Sequence, residues 1–227
     1  MHTEIVYAGG EERDIRYFVL DDADMLRYVV NLGAIPLHPW SSRLGSLEEP
    51  DWMILDLDPK GAPFAHVRRV AATLHRLLED LELPHFLKTS GATGLHILVP
   101  LGARYTYEQS RTFARLLALL AVEAEPEIAT VARALHAREG KVYVDFGQNG
   151  HGQTIVAPYA VRALPGAPVS CPLRWEELTA RLDPARFTIR TALRRFATAE
   201  DPLRGVLGEG IRIDVALERL RERMGRS

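Results

Sequence analysis

Asp56 and Asp58 close an apolar run, Trp52-Met53-Ile54-Leu55-Asp56-Leu57-Asp58-Pro59. In an extended strand, residues two apart leave the same face, so both carboxylates aim at one point where the run meets Pro59. Two acids held that close repel each other, and a divalent cation stabilises the ionised pair. Asp is also common in turns, and Asp-Leu-Asp-Pro-Lys-Gly reads as a turn sequence too. A third acid, Asp145, closes the alternating run Val142-Tyr143-Val144-Asp145, in which Tyr143 and Asp145 share one face and the valines the other. Between the two runs lies Lys88-Thr89-Ser90-Gly91-Ala92-Thr93-Gly94-Leu95-His96. Such a Ser/Gly-rich turn offers backbone N–H groups and a hydroxyl to an anion, although it also suits an ordinary glycine hairpin with a partly buried His96. Three acids at strand ends beside an anion-binding turn suit a two-metal phosphoryl-transfer centre.

Several elements must position these groups. Glu4 to Tyr7 and Ile15 to Leu20 read as a hairpin around Gly9-Gly10. Asp22 to Leu32 reads as a helix stopped by Gly33, with Met25, Tyr28, Val29 and Leu32 on one stripe, and Pro36 and Pro39 keep the next segment extended or irregular. Trp52 to Leu57 is a buried strand. Phe64 to Leu83 carries apolar residues at helical spacing up to Pro84. Phe86 to Thr89 and Leu95 to Leu101 are strands joined by the glycine turn. Thr106 and Gln109 form a capping box for the next helix, and a further helix is expected over Glu127 to Arg138. Lys141 to Phe146 and Thr154 to Ala157 read as strands, and the tail from Pro172 as mostly helical. Strands and helices alternate without a strict β-α-β rhythm. The expected class is therefore α+β (mixed α/β) in one domain over 1–227, and not a doubly wound fold.

Composition narrows the function. The 227 residues are 47% hydrophobic and 26% charged, an ordinary globular balance rather than that of a disordered chain. A formal charge of −2 announces no global basic field, yet all but three of the 28 cations are arginine, whose planar fork suits phosphate; a GC-rich genome gives the same bias. Cys171 is the only cysteine, which excludes an intrachain disulfide and a cysteine-based zinc site. No apolar run approaches the ~20 residues of a membrane span, and the N-terminus lacks signal-peptide features. The expectation is a soluble protein of a reducing compartment, with no membrane partner.

The motifs fit together as one pattern. Asp-Leu-Asp-Pro at 56–59, Ser-Gly-x-x-Gly-x-His at 90–96, and Val-Asp-x-x-Gln-Asn with Thr-Ile-Val-Ala-Pro-Tyr-x-Val-Arg over 144–162 resemble the polymerase domain of bacterial DNA ligase D, of the archaeo-eukaryotic primase superfamily. Asn31-Leu32-Gly33-Ala34, His38-Pro39-Trp40, Pro165 to Ser170, Leu173-Arg174-Trp175 and Phe187 to Arg190 extend the match from about Asp14 to Pro202. The resemblance implies a primase-type catalytic fold with an RRM-like module, and template-directed addition of nucleotides, often ribonucleotides, to a primer 3′-OH in end-joining or gap repair. It implies that Asp56, Asp58 and Asp145 hold two divalent ions, Mn2+ or Mg2+. Ser90, Gly91 and His96 would meet the incoming triphosphate, and His38, Gln148 and Arg162 would also be nucleotide-binding positions. Implied partners are primer-template DNA, nucleoside triphosphates and a DNA ligase or end-binding repair protein, on the nucleoid. Relatives ordinarily begin with a longer section of basic and aromatic residues; the stretch before Asp14 contains no lysine, so that section is expected to be largely missing. His151 stands where relatives commonly have arginine.

Two other functions fit parts of the pattern. One is a catalytically degenerate relative that binds nucleic acid or a repair partner. The other is a phosphatase of the haloacid-dehalogenase type, against which Pro59 and the triphosphate-like turn both speak. Trp40 and Trp175 read as packing residues as readily as base-stacking ones. His66, His75, His85 and His136 show no metal-ligand spacing. Arg186, Arg190 and Arg194 would share one helical face, and Arg219, Arg221 and Arg223 read as a solvated one.

Overall fold

The computed structural model describes residues 3–7, 14–198 and 200–225. Among these, strands β1 (Thr3–Tyr7) and β2 (Asp14–Phe18) pair antiparallel, while the expected Gly9-Gly10 loop lies outside the described residues. Helix α1 (Ala23–Asn31) starts where Asp22 accepts the Met25 N–H at 2.6 Å. Strand β3 (Trp52–Pro59), helix α2 (Phe64–Asp80), β4 (Phe86–Thr89), β5 (Leu95–Pro100) and α3 (Tyr107–Ala124) follow. Then come β6 (Ala129–Thr130), β7 (Val142–Asp145), β8 (Pro172–Leu173), α4 (Ile189–Thr198) and α5 (Ile213–Met224).

The main sheet has the order β6-β7-β3-β5-β4-β8 and is antiparallel except for the β6–β7 pair. This is the mixed, non-Rossmann arrangement expected. One face is the core: Met53, Leu55 and Leu57 of β3, Leu95, Ile97 and Val99 of β5, and Val142 and Val144 of β7 are buried in one cluster with Val70 and Leu74 of α2 and Phe113 and Leu117 of α3. The strand period of two then sends Asp56, Asp58, His96, Tyr143 and Asp145 to the opposite face.

Sequence expectations failed in instructive places. No helix forms over Glu127 to Arg138. Ala129–Thr130 instead pairs parallel with β7, Val142 donates to the Ile128 carbonyl at 2.8 Å, and only a 3-10 turn remains at Leu135–Arg138. The β-branched Ile128, Thr130 and Val131 favour that pairing at the sheet edge. Thr154 to Ala157 is extended but forms no regular strand. Ile155 and Ala157 donate to the Pro39 and Leu37 carbonyls, and the prolines of that segment have no N–H to return. Helix α2 ends at Asp80, before Pro84, because Glu82 takes a positive φ of 52° and lets Leu81 and Leu83 turn into the core. The tail contributes strand β8 at its start. Arg186 lies in a 3-10 turn ahead of α4, so it does not share a helical face with Arg190 and Arg194. Arg219 is not merely solvated: it donates to the Leu81 carbonyl at 2.6 Å, and Arg223 pairs with Asp80, tying α5 to the end of α2.

One buried side chain completes the sheet. Strand β7 stops at Asp145, opposite Asp56, so the next outward-facing backbone groups of β3, at Ile54, have no strand to pair with. Asn149 takes that place: its Oδ1 accepts the Ile54 N–H at 2.8 Å and its Nδ2 donates to the Ile54 carbonyl at 2.7 Å. Asn149→Ala should leave both groups buried and unpaired, and lower the unfolding free energy by about 2–4 kcal/mol in urea titrations. A loss below about 0.5 kcal/mol would contradict this role.

Candidate active site

Register decides what meets on the polar face. Asp56 stands opposite His96 on β5 and opposite Asp145 on β7, and His96 stands opposite Lys88 on β4. Directly opposed residues of antiparallel strands share a face, so Asp145, Asp56, His96 and Lys88 form one row across four strands. Asp58 occupies the next row on the same face, opposite Tyr143.

The row is joined by hydrogen bonds. Lys88 has 0% exposure, and its ammonium reaches His96 Nδ1 at 2.8 Å, Ser170 Oγ at 2.8 Å and the Val156 carbonyl at 3.1 Å. Three donors meet three acceptors, which satisfies the buried amine. His96 Nδ1 is then the accepting nitrogen, so Nε2 carries the hydrogen and faces Asp56 Oδ1 at 3.3 Å. Burial, then the Lys88 charge, holds His96 below the ordinary histidine range, so the ring is neutral. Burial alone would raise Asp56, but His96, Lys88 and Arg162 outweigh it and keep this carboxyl below its usual value.

The other acids differ. Asp58 is exposed, and its carboxyl is raised by partial burial and by Asp56 and Asp145, against the opposing charges of Lys60 and Arg138. Asp145 is aimed from behind: it accepts from the Gly147 N–H at 2.7 Å, from Tyr143 Oη at 3.3 Å and from Gln148 Nε2 at 3.3 Å. The Arg138 guanidinium lies 3.4 Å above the Tyr143 ring and fixes it. The three carboxylates therefore share a face and sense each other's charge, but their oxygens do not all come within 4.8 Å of one another.

The Ser90–Gly94 turn borders the same row. Ser90 Oγ accepts from the Ala92 N–H at 3.2 Å and the Gly94 N–H at 3.0 Å, which closes the turn and leaves its own hydroxyl hydrogen to donate. Gly91 adopts φ +72°, and a Cβ there would meet Arg162 Cγ at 2.7 Å and Ser170 N at 2.9 Å. This close approach carries half-buried Arg162 over the turn, where its Nη1 reaches the Ser90 carbonyl at 3.4 Å. His38 is exposed beside it, and burial, Arg162 and Lys88 lower its pKa. Gln148 is half-buried against Asp145. All the site residues expected from the sequence therefore lie on or beside one face of the sheet. Two of them, His96 and Ser90, already spend side-chain capacity on internal contacts. Trp40 packs edge-on against Tyr17 at 5.4 Å between ring centroids, and Trp175 stacks on His75, so both read as packing residues. An open groove of about 610 Å³ adjoins the end of β3, lined by Pro59, Gly61, Arg68, Ala92, Thr93 and Asp183 among others.

Sequence reasoning missed two contributors. Asn149 had a visible signal, since it follows Gln148 in the matched motif, but only the register shows that it substitutes for a strand. Ser170 had only its place at the end of a matched stretch, and nothing there shows that it receives a buried lysine from 82 residues away.

Comparison with known proteins bears on the family and the fold. The family model described as LigD, primase-polymerase domain, matches residues 2–203. The multifunctional non-homologous end joining protein LigD of Pseudomonas aeruginosa is 35% identical over 200 residues, which cover 87% of this chain and 24% of that protein. The bifunctional non-homologous end joining protein LigD of Bacillus subtilis is 33% identical over 191 residues, covering 83% of this chain and 30% of that protein. The chain thus spans about a quarter to a third of the length of these relatives. Among solved structures, the polymerase domain from Mycobacterium tuberculosis ligase D in complex with DNA superimposes with a TM-score of 0.81 at 28% identity, over 92% of this chain and 75% of that one.

The buried amine gives a direct test of the row. Burial pulls Lys88 from the ordinary 10.5 down to about 7, with Arg162 adding to the fall and Asp56 opposing it. Because the folded value lies below the unfolded one, its contribution to stability rises with pH between those two values. In NMR titration of the three lysines, one Cε resonance should move near pH 7 and be absent in Lys88→Met. Three lysines all titrating near pH 10 would contradict the assignment.

Proposed function

This chain belongs to the LigD primase-polymerase domain family, and from that premise we propose that it is a template-directed nucleotidyltransferase. It would add nucleotides to a primer 3′-OH in DNA end joining or gap repair, in the cytoplasm and on the nucleoid, as one catalytic unit spanning the chain. The observation that carries the reading is the pairing of Asp56 with Asp145 across neighbouring strands, with Asp58 on the same face. Like charges directly opposite each other weaken a sheet, so a purely structural pairing would not favour them. An all-oxygen, triply anionic donor set suits a hard divalent cation such as Mg2+ or Mn2+, and the raised Asp58 carboxyl is what one negative charge among others requires until a cation joins them.

Asp56, Asp58 and Asp145 would hold two such ions. When bound, the ions supply the positive charge that stabilises the attacking and leaving oxygens of an in-line phosphoryl transfer. The chain's own groups do the rest. His96 donates to Asp56 and fixes one carboxylate in its ionised form. The Gly147 N–H, Tyr143 and Gln148 orient the other at Asp145. Arg162 and the turn at Ser90 and Gly91 would receive the triphosphate, with His96 beneath it and His38 and Gln148 bordering the nucleotide. No protein base is needed, because the three acids are committed to charge rather than to proton transfer. The relatives' names supply the end-joining context, and the DNA bound by the structural neighbour supports DNA as the polymeric partner, which a primer-extending enzyme would take as a primer-template. A DNA ligase or an end-binding repair protein is the partner such a step requires.

With Mn2+ and ribonucleotides, the protein should extend a primer on a gapped or overhanging template. Asp58→Asn should keep its circular-dichroism spectrum and lose at least about 10³-fold in rate, the scale of several kcal/mol of lost charge stabilisation. Arg162→Ala should raise KM for the triphosphate more than it lowers kcat. Absence of both extension and metal-dependent nucleotide binding in the wild-type protein would refute the reading. Full activity in Asp58→Asn would do the same.

A further inference from the structure

A second group of ligand atoms lies away from the carboxylate row. His75 and Glu79 stand one turn apart on α2, and His85 follows in the loop that leads into β4. His75 Nδ1 is 2.6 Å from His85 Nε2, and Glu79 Oε1 is 3.9 Å from that same nitrogen. All three ligand atoms fall within 4.8 Å of one another, the one such grouping of three His, Cys, Asp or Glu ligand atoms among the described residues.

Hydrogen bonding sets the tautomers. His85 Nδ1 is 2.7 Å from the Leu83 carbonyl, which can only accept, so Nδ1 carries the hydrogen and Nε2 keeps a lone pair turned toward His75 and Glu79. A histidine whose second nitrogen donates to a backbone carbonyl has the arrangement that orients imidazole ligands at metal centres. Trp175 stacks on His75 at 4.1 Å with a 7° angle between planes, and its indole N–H donates to the His85 carbonyl at 3.1 Å. One aromatic residue thus holds both imidazoles.

We propose that His75, Glu79 and His85 form a site for one Zn2+ ion, or a divalent transition ion of similar nitrogen preference, with water as the fourth ligand. Two imidazoles and one carboxylate suit such an ion, whereas the three aspartates across the molecule offer only oxygen, which suits Mg2+ or Mn2+. Metal–nitrogen bonds of about 2.0–2.1 Å at tetrahedral angles set ligand atoms roughly 3.3 Å apart. The 2.6 Å and 3.9 Å separations bracket that spacing. On binding, His75 moves its shared proton from Nδ1 to Nε2, and the ion replaces that proton between the two rings. The ion would clamp the end of α2 to the start of β4, the strand that carries Lys88. This site is independent of the polymerase reading.

The test is calorimetric titration of Zn2+ into the full chain after chelator treatment. One equivalent should bind, Co2+ should give the visible absorption of a four-coordinate nitrogen and oxygen site, and Trp175 fluorescence should change. His75→Ala and His85→Ala should each weaken Zn2+ binding at least about tenfold, whereas His136→Ala and Asp58→Ala should leave it unchanged. Glu79 is exposed, so Glu79→Gln should fold normally and still weaken binding, which keeps the test decisive if His85→Ala does not fold. Lack of saturable binding in the wild-type protein would overturn the proposal. So would Zn2+ affinity that is unchanged in Glu79→Gln and His75→Ala but lost in Asp58→Ala.

Discussion

The alignment of Asp145, Asp56, His96 and Lys88 in one cross-strand row is the constraint on which the site depends. A strand offers alternate residues to opposite faces, and here the alternation is shared by β7, β3 and β5. On these three strands the side that faces α2 and α3 carries the buried apolar residues, and the other side carries the ionisable groups. A one-residue slip of any of these strands would put a carboxylate or an imidazole into the core, so the burial of Leu55, Ile97 and Val144 fixes the chemistry as firmly as it fixes the fold.

Charge is graded along the row. At one end a lysine with no solvent contact is satisfied by a histidine, a serine and a backbone carbonyl; at the other an aspartate is held by a glycine N–H. The histidine between them is neutral and passes the lysine's orienting influence to Asp56. An ion pair made directly between a buried lysine and Asp56 would compensate the negative charge that a cation at the proposed site would use. With an imidazole interposed, His96 and Lys88 together still keep the Asp56 carboxyl below its usual value. The glycine turn has the same economy of space, since Gly91 lets Arg162 reach over the row where any side chain would collide.

How much of this was legible beforehand depended on range. Period-two alternation and apolar runs exposed Asp56, Asp58 and Asp145 as strand-end acids sharing faces within their own strands. The spacing of Ser90, Gly91, Gly94 and His96 marked the turn. Which acid would oppose which could not be read, because strand partners 89 residues apart are chosen by the packing of the whole core. The helix expected at 127–138 failed for a related reason: a local expectation lost to pairing at an open sheet edge. Lys88 was read beside an anion-binding turn, and its full burial follows only from Ser170 and Val156 closing over it. His75, Glu79 and His85 had no motif spacing, because the break in α2 after Asp80, not the sequence interval, brings His85 back beside the helix.

The most direct measurement of the central claim is anomalous diffraction from crystals soaked with Mn2+ and a nucleoside triphosphate. Two-metal catalysis on this face requires two manganese peaks bounded by Asp56, Asp58 and Asp145, with the triphosphate against Arg162 and the Ser90–Gly94 turn. Manganese lodged elsewhere, or a triphosphate bound away from that face, would contradict it.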